Sequence, residues 1–318
     1  MRKNSTKLSI LALIALVSIL CFVFYNIKGG FSYAFPRRLT QVSAMILTGT
    51  AIAYSTVIFQ TITQNRILTP SIMGIDSMYE VVQTVIYFIA GSASIWVVNR
   101  YLNFGIALFV MIGFAILLYR FLFRADKYPI SLLLLAAMVL GTLLGSLVTF
   151  LQIILSPSEY ESLQSVLFAS FTHIKTDLLY ISAVILGGCF IIGSRMFSDL
   201  DVMSLGRETA LNLGVNYDKR VLNVLMLSSI LIATSTALVG PITFLGIIVS
   251  NLTYHYLSTY KHSILIAGAS LMSIIALVGG QFLVQHVFKL NTTISVIVNF
   301  IGGIYFIYLI LKESGNVK

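Results

Sequence analysis

Residues Val221–Tyr260 read VLNVLMLSSILIATSTALVGPITFLGIIVSNLTYHYLSTY, forty positions without a lysine, arginine, aspartate or glutamate. A helix needs about 20 residues to cross the hydrocarbon core of a bilayer, so this run is twice one crossing. Gly240-Pro241 stands at its centre. Proline has no amide hydrogen to continue a helix, and glycine interrupts one cheaply. The run therefore reads as two membrane helices meeting at a turn, which sets the class of the whole chain.

The same pattern recurs outward in both directions. Of the 318 residues, 58% are hydrophobic and 10% charged, against about 25% charged in ordinary soluble domains. The chain is expected to be an all-α polytopic membrane protein, one transmembrane domain over residues 1–318. Its ten spans are expected at about 8–27, 38–63, 77–98, 103–123, 130–155, 177–195, 219–239, 242–259, 263–286 and 291–311. The first is read as a retained helix. Its uncharged run, Leu8–Ile27, exceeds the about 7–15 residues of a cleavable signal core. Leu20 is also bulky where a lipoprotein-type cleavage site before Cys21 takes a small residue.

Charge orients these spans. The net charge of +9 could suggest nucleic acid, but the basic residues are scattered between apolar runs. Ten spans place both termini on one side. With that side in the cytoplasm, six of the twenty basic residues lie outside (Lys28, Arg37, Arg38, Arg100, Lys175 and Lys289) and fourteen inside. That is the bias membrane insertion favours, and the inverted topology violates it.

One compact polar segment, 198–218, falls inside the cell between the sixth and seventh spans. Within it Gly206 and Gly214 bracket RETALNL, good helix formers with glycine at the C-terminal cap position. This predicts a helix of about two turns, roughly 11 Å long. Outside, Glu161–Phe171 is expected to form a short helix on the outer face.

Sites of chemistry are sparse. The phosphate-cradling loop G-x-x-x-x-G-K-[ST] is missing, as are G-x-S-x-G and H-E-x-x-H. The four histidines fall near span edges without ligand spacing and read as solvated or interfacial. Asp76 and Glu80 are the acids nearest the bilayer interior, and Ser77-x-x-Glu80 reads as a capping box at a helix start. Gln60 and Thr61 either line a pathway or bond to neighbouring helices. The second and seventh spans enter from opposite faces, hinting at an inverted repeat.

Five stretches together resemble the FecCD-type permease family of ABC importers for iron–siderophore, haem and vitamin B12. They are FPRRL (Phe35–Leu39), FQTITQNRILTPSIMGIDS (Phe59–Ser77), GRETALNLGVN (Gly206–Asn216), GPITFLGIIVSN (Gly240–Asn251) and GGIYFIYLILK (Gly302–Lys312). They cover nearly the whole chain in the family's order. The resemblance implies a type II importer fold like the vitamin B12 permease. It also implies a transport subunit rather than an enzyme, in the bacterial plasma membrane. ATP and Mg are then bound by a separate ATPase subunit present in two copies, with no cofactor on this chain.

The resemblance also assigns residues. Leu205, Gly206, Arg207, Glu208, Ala210, Leu213, Gly214 and Val215 are the expected contact with the ATPase. Arg37, Arg38 and Lys289 are expected to dock an extracytoplasmic substrate-binding protein. Gln60, Thr61, Phe168 and Phe171 are pathway candidates. Ser250-Asn251, Tyr254 and KLNTTIS before the last span depart from the family pattern in the manner of its catecholate-siderophore subset, petrobactin-like systems included. The resemblance is to a subset that often pairs two different permeases, so a heterodimer is expected, with a homodimer as the alternative. Haem or vitamin B12 is the alternative cargo, and an ion-coupled transporter is the rival of another class.

Overall fold

The computed structural model describes residues 2–26, 30–123, 130–172, 174–288 and 292–315. The described residues form fourteen α-helices and one 3-10 turn, Pro70–Met73. The helices are α1 (Arg2–Phe24), α2 (Phe31–Thr63), α3 (Ile75–Ala90), α4 (Ile95–Val98), α5 (Arg100–Phe123), α6 (Ile130–Ile154) and α7 (Pro157–Leu167). They continue with α8 (Thr176–Ser194), α9 (Phe197–Met203), α10 (Arg207–Asn212), α11 (Tyr217–Val239), α12 (Leu245–Tyr256), α13 (His262–His286) and α14 (Ile294–Gly315).

Among the described residues, eight helices are long and apolar enough to cross a membrane: α1, α2, α5, α6, α8, α11, α13 and α14. The two other expected spans are shorter helices. At 12 residues α12 covers only about 18 Å, less than the about 30 Å hydrocarbon core. The non-helical residues 240–244 precede it, and Gly240, Pro241 and Ile242 are buried in protein. Broken backbone at membrane depth is tolerated only when protein covers it. Gly240 adopts φ 98° and caps α11 by donating its N–H to Thr236 O. A Cβ at Gly240 would lie 2.9 Å from the Ala169 Cα, so this turn requires glycine for both conformation and space.

The other short helix, α3, follows a similar interruption. It starts at Ile75 behind Gly74, with no side-chain cap, so the expected capping box at Ser77 and Glu80 does not form. Asp76 is buried and accepts a hydrogen bond from Thr236 Oγ1 at 3.0 Å. Thr236 lies on α11, 160 residues away, and Ser71 and Thr243 also hydrogen-bond this acid. The local pattern misled because α3 has begun by Ile75, which puts Ser77 inside the helix.

Helices α2 and α11 form the centre and pack on each other, with α13 against α2, α5 against α11, and α8 against both. Helices α1, α6 and α14 keep rows of large apolar side chains exposed, including Leu13, Leu143, Ile153, Phe300 and Ile307. Such surface is stable only against lipid or another apolar chain. Two sets of bonds mark the ends of the bundle. Asn4 and Lys7 donate to Ser258 O and Tyr256 O, which puts the N-terminal turn beside the α12–α13 connection. At the opposite end Arg37 donates to Thr172 O.

Candidate functional site: a cytosolic lever, a polar cleft and an outer rim

The segment between α8 and α11 folds into two short helices, α9 and α10. Gly206 and Gly214 flank α10 at φ 99° and 85°. Val215 N–H donates to Ala210 O and Gly214 N–H to Leu211 O, both at 3.0 Å. This is the double closure of a glycine-capped helix end, with Ala210 and Val215 as its apolar pair. The expected helix thus forms one residue shorter than RETALNL.

Exposure sorts the expected contact residues. Leu205 and Leu213 are 62% and 61% exposed, and Arg207 and Glu208 also face outward. Ala210 does not: at 0% exposure it seats α10 on the body and is removed from the contact surface. Leu211, 42% exposed, faces outward in its place. Its one-turn spacing from Arg207 was available in the sequence, but the inward face of so short a helix was not. Three exposed leucines on a polar connector form a patch that water disfavours.

Ion pairs brace the segment. Arg220 Nε lies 2.6 Å from Asp199 Oδ2, tying α11 to α9, and Arg207 Nη2 lies 3.3 Å from Asp218 Oδ2. Gln64 Nε2 donates to Met203 O, joining the end of α2 to α9. Asp201 Oδ1 accepts from His262 at both the backbone N–H (2.7 Å) and Nδ1 (2.6 Å). His262 is 2% exposed, so the expectation of a solvated edge histidine gives way to a buried, bonded one.

The cleft holds about 800 Å³ and lies between α3, α6, α7 and α14. Its lining includes Glu80, Thr142, Ser146, Thr149, Gln152 and Asn299. Hydroxyls and amides in such number are costly in lipid and useful beside a polar cargo. Of the pathway candidates, Phe168 lines this cleft. Phe171 is fully buried beneath the outer surface, between two smaller cavities. Gln60 and Thr61 lie elsewhere, bonded to Arg66 O and His262 at the α9 end of the bundle. Glu80 was expected to be a capping residue; it lies inside α3 and lines the cleft instead.

At the outer rim Arg37 is exposed beside a small cavity. Arg38 is used differently. Its guanidinium donates to the carbonyls of Phe22, Val23, Tyr25 and Asn26, capping the end of α1, which takes it out of the expected docking set. Lys289 lies outside the described residues. The outer helix α7 begins at Pro157, four residues before the expected Glu161, because Ser156 Oγ caps it by accepting from Glu159 N–H. It ends at Leu167, short of the expected Phe171.

Comparison with known proteins identifies the family. The model of the FecCD transport family matches residues 8–312. The chain is 51% identical over 314 residues to the petrobactin import system permease protein YclO of Bacillus subtilis (strain 168), covering 98% of this chain and 99% of that protein. It is 35% identical over 280 residues to the petrobactin import system permease protein FatC of Bacillus anthracis, covering 87% and 78%. A solved structure described as an inward-facing conformation of a metal-chelate type ABC transporter superposes with a TM-score of 0.83 over 97% of this chain and 99% of that one, at 23% identity. Matched nearly end to end, the chain belongs to the FecCD transport family, multi-pass permease subunits of ABC importers in the bacterial plasma membrane.

Proposed function

We propose that the chain imports a ferric siderophore of the catecholate class, forming half of the translocation pathway and drawing its energy from a separate ATPase. The observation that carries this is the pairing, in one chain, of a hydroxyl-rich cleft inside apolar helices with an exposed, leucine-bearing lever outside them. The two relatives named for petrobactin import support the cargo. The whole of residues 1–318 then acts as one permease domain with about ten crossings and both termini cytoplasmic. α12 and residues 240–244 make one crossing together.

The mechanism follows from the materials. Leu205, Leu211 and Leu213 seat in a groove of the ATPase, with Arg207 and Glu208 fixing register at its rim. Nucleotide binding by two ATPase copies, with Mg, pushes α9 and α10, and the braces to α2, α11 and α13 tilt the central helices. The exposed faces of α6 and α14 meet a second permease, a different chain in the reading favoured here, so that two clefts enclose one pathway. Arg37 steers the acidic surface of a substrate-loaded binding protein onto the outer rim.

A strain lacking the gene and supplied with single iron sources tests the cargo. Loss of growth on a ferric catecholate siderophore, with growth on haem retained, is expected. Normal catecholate uptake in that strain, or loss confined to haem or vitamin B12, would overturn the assignment.

A further inference from the structure

We infer that Asp201, His262 and Thr61 form a transmission link that carries displacement between the ATPase-facing lever and the α2–α13 helix pair, and through that pair to the outer docking rim. The inference rests on the proposed coupling of this chain to a separate ATPase and names the residues that perform it.

The link is a continuous chain of short bonds across three elements. Asp201 sits in α9, and its Oδ1 accepts both the backbone N–H and Nδ1–H of His262 at the start of α13. The far ring nitrogen, Nε2, lies 2.7 Å from Thr61 Oγ1 near the end of α2. His262 is 2% exposed, so little water competes for these bonds. The lever's other side-chain ion pairs, Arg220–Asp199 and Arg207–Asp218, are more open to solvent, where screening weakens them. The contact is thus shielded at its histidine end, while Asp201, with 27% of its side chain exposed, is about as open as Asp199.

What the link grips matters as much as its stiffness. Helices α2 and α13 are fastened to each other along their length. Thr61 meets His262 at one end. Near the middle, Gly49 approaches Ser273 so closely that a Cβ would lie 2.6 Å from Ser273 Oγ. At the far end Gln285 Nε2 donates to Gln41 Oε1 at 3.4 Å. The pair is thus held to move as one body. α2 has 33 residues, which at helical rise span about 50 Å, and its outer end carries Arg37. A shift of α9 is delivered to the helix that presents the docking arginine, and docking is felt at α9 by reciprocity.

A purely structural role predicts something different. Asp201 also caps the first amide of α13, and a cap alone would affect stability without touching coupling. Thr61→Val separates the two roles, because it removes the hydroxyl facing the ring and leaves that cap intact. Thr61→Ser keeps the hydroxyl.

The experiment uses the assembled complex of both permeases and ATPase in nanodiscs, reading ATP hydrolysis with and without the ferric-siderophore-loaded binding protein. Thr61→Val and Asp201→Ala are expected to keep basal hydrolysis and to lose about tenfold of the stimulation by the loaded binding protein, with Thr61→Ser close to wild type. Stimulation unchanged in Thr61→Val, or lost equally in Thr61→Ser, would overturn the link, whatever Asp201→Ala does to assembly. A wild-type complex that shows no stimulation would instead sink the importer reading beneath it.

Discussion

Between Phe197 and Arg220 the chain is pinned by two ion pairs, a doubly closed helix end and the contact of Asp201 with a buried histidine. The cleft walls are built the other way. Thr142, Ser146 and Thr149 bond back to carbonyls of their own helix, four residues earlier, and leave their outer sides open. On the function proposed above, the first region passes displacement between chains, and the second lets a bulky polar solute slide past groups that hold nothing tightly. The contrast teaches that coupling and passage place opposite demands on a membrane helix bundle, and the proposed function assigns them to different positions of this chain.

Substitutions can break or sharpen that contrast. The largest effect is expected where the cleft is filled. Ser146→Trp should reduce cargo uptake in proteoliposomes by about a hundredfold, since Ser146 opens onto the cleft and an indole there narrows the passage. ATPase assembly should be unaffected; a variant that transports normally would remove the cleft from the pathway. Gly214→Val comes next. A branched residue forced to φ 85° costs about 1–2 kcal/mol, and the helix end should loosen enough to cut ATP-driven uptake about tenfold while binding-protein docking persists. Unchanged uptake would show that the lever need not be stiff.

Smaller effects belong to the outer rim. Arg38→Ala frees four carbonyls at the end of α1. It should lower stability by about 1–2 kcal/mol, seen as earlier thermal unfolding in detergent, with binding-protein affinity intact. Reduced affinity with unchanged unfolding would return Arg38 to the docking set. Arg37→Glu should slow binding-protein association about threefold at low salt and less at high salt. A salt-independent change would argue against steering.

Much of the fold was legible before any coordinates. Charge-free runs located the helices because lipid tolerates few ionised groups, and Gly240-Pro241 located the break between α11 and α12. The glycines around α10 marked that helix by capping chemistry alone. The misses share a cause. Arg38 and His262 each acquired a role from partners outside their own segment: the end of α1, and Asp201 with Thr61. A local motif such as Ser77-x-x-Glu80 cannot report such partners. Ala210 was misassigned for a related reason, since the inward face of a six-residue helix depends on what it packs against. In the candidate site, residue types were therefore readable while their directions were not.

The central claim is that this permease moves nothing uphill by itself and is driven through its cytosolic lever by another chain's nucleotide hydrolysis. The most direct measurement is accumulation of iron-labelled siderophore in proteoliposomes holding the permease pair and lumenal ATP with Mg, binding protein outside, with and without the ATPase subunit. Accumulation only when the ATPase is present, abolished when Leu205 and Leu213 are both replaced by glutamate, is the predicted result. Uphill accumulation without the ATPase, sustained by an ion gradient alone, would contradict it.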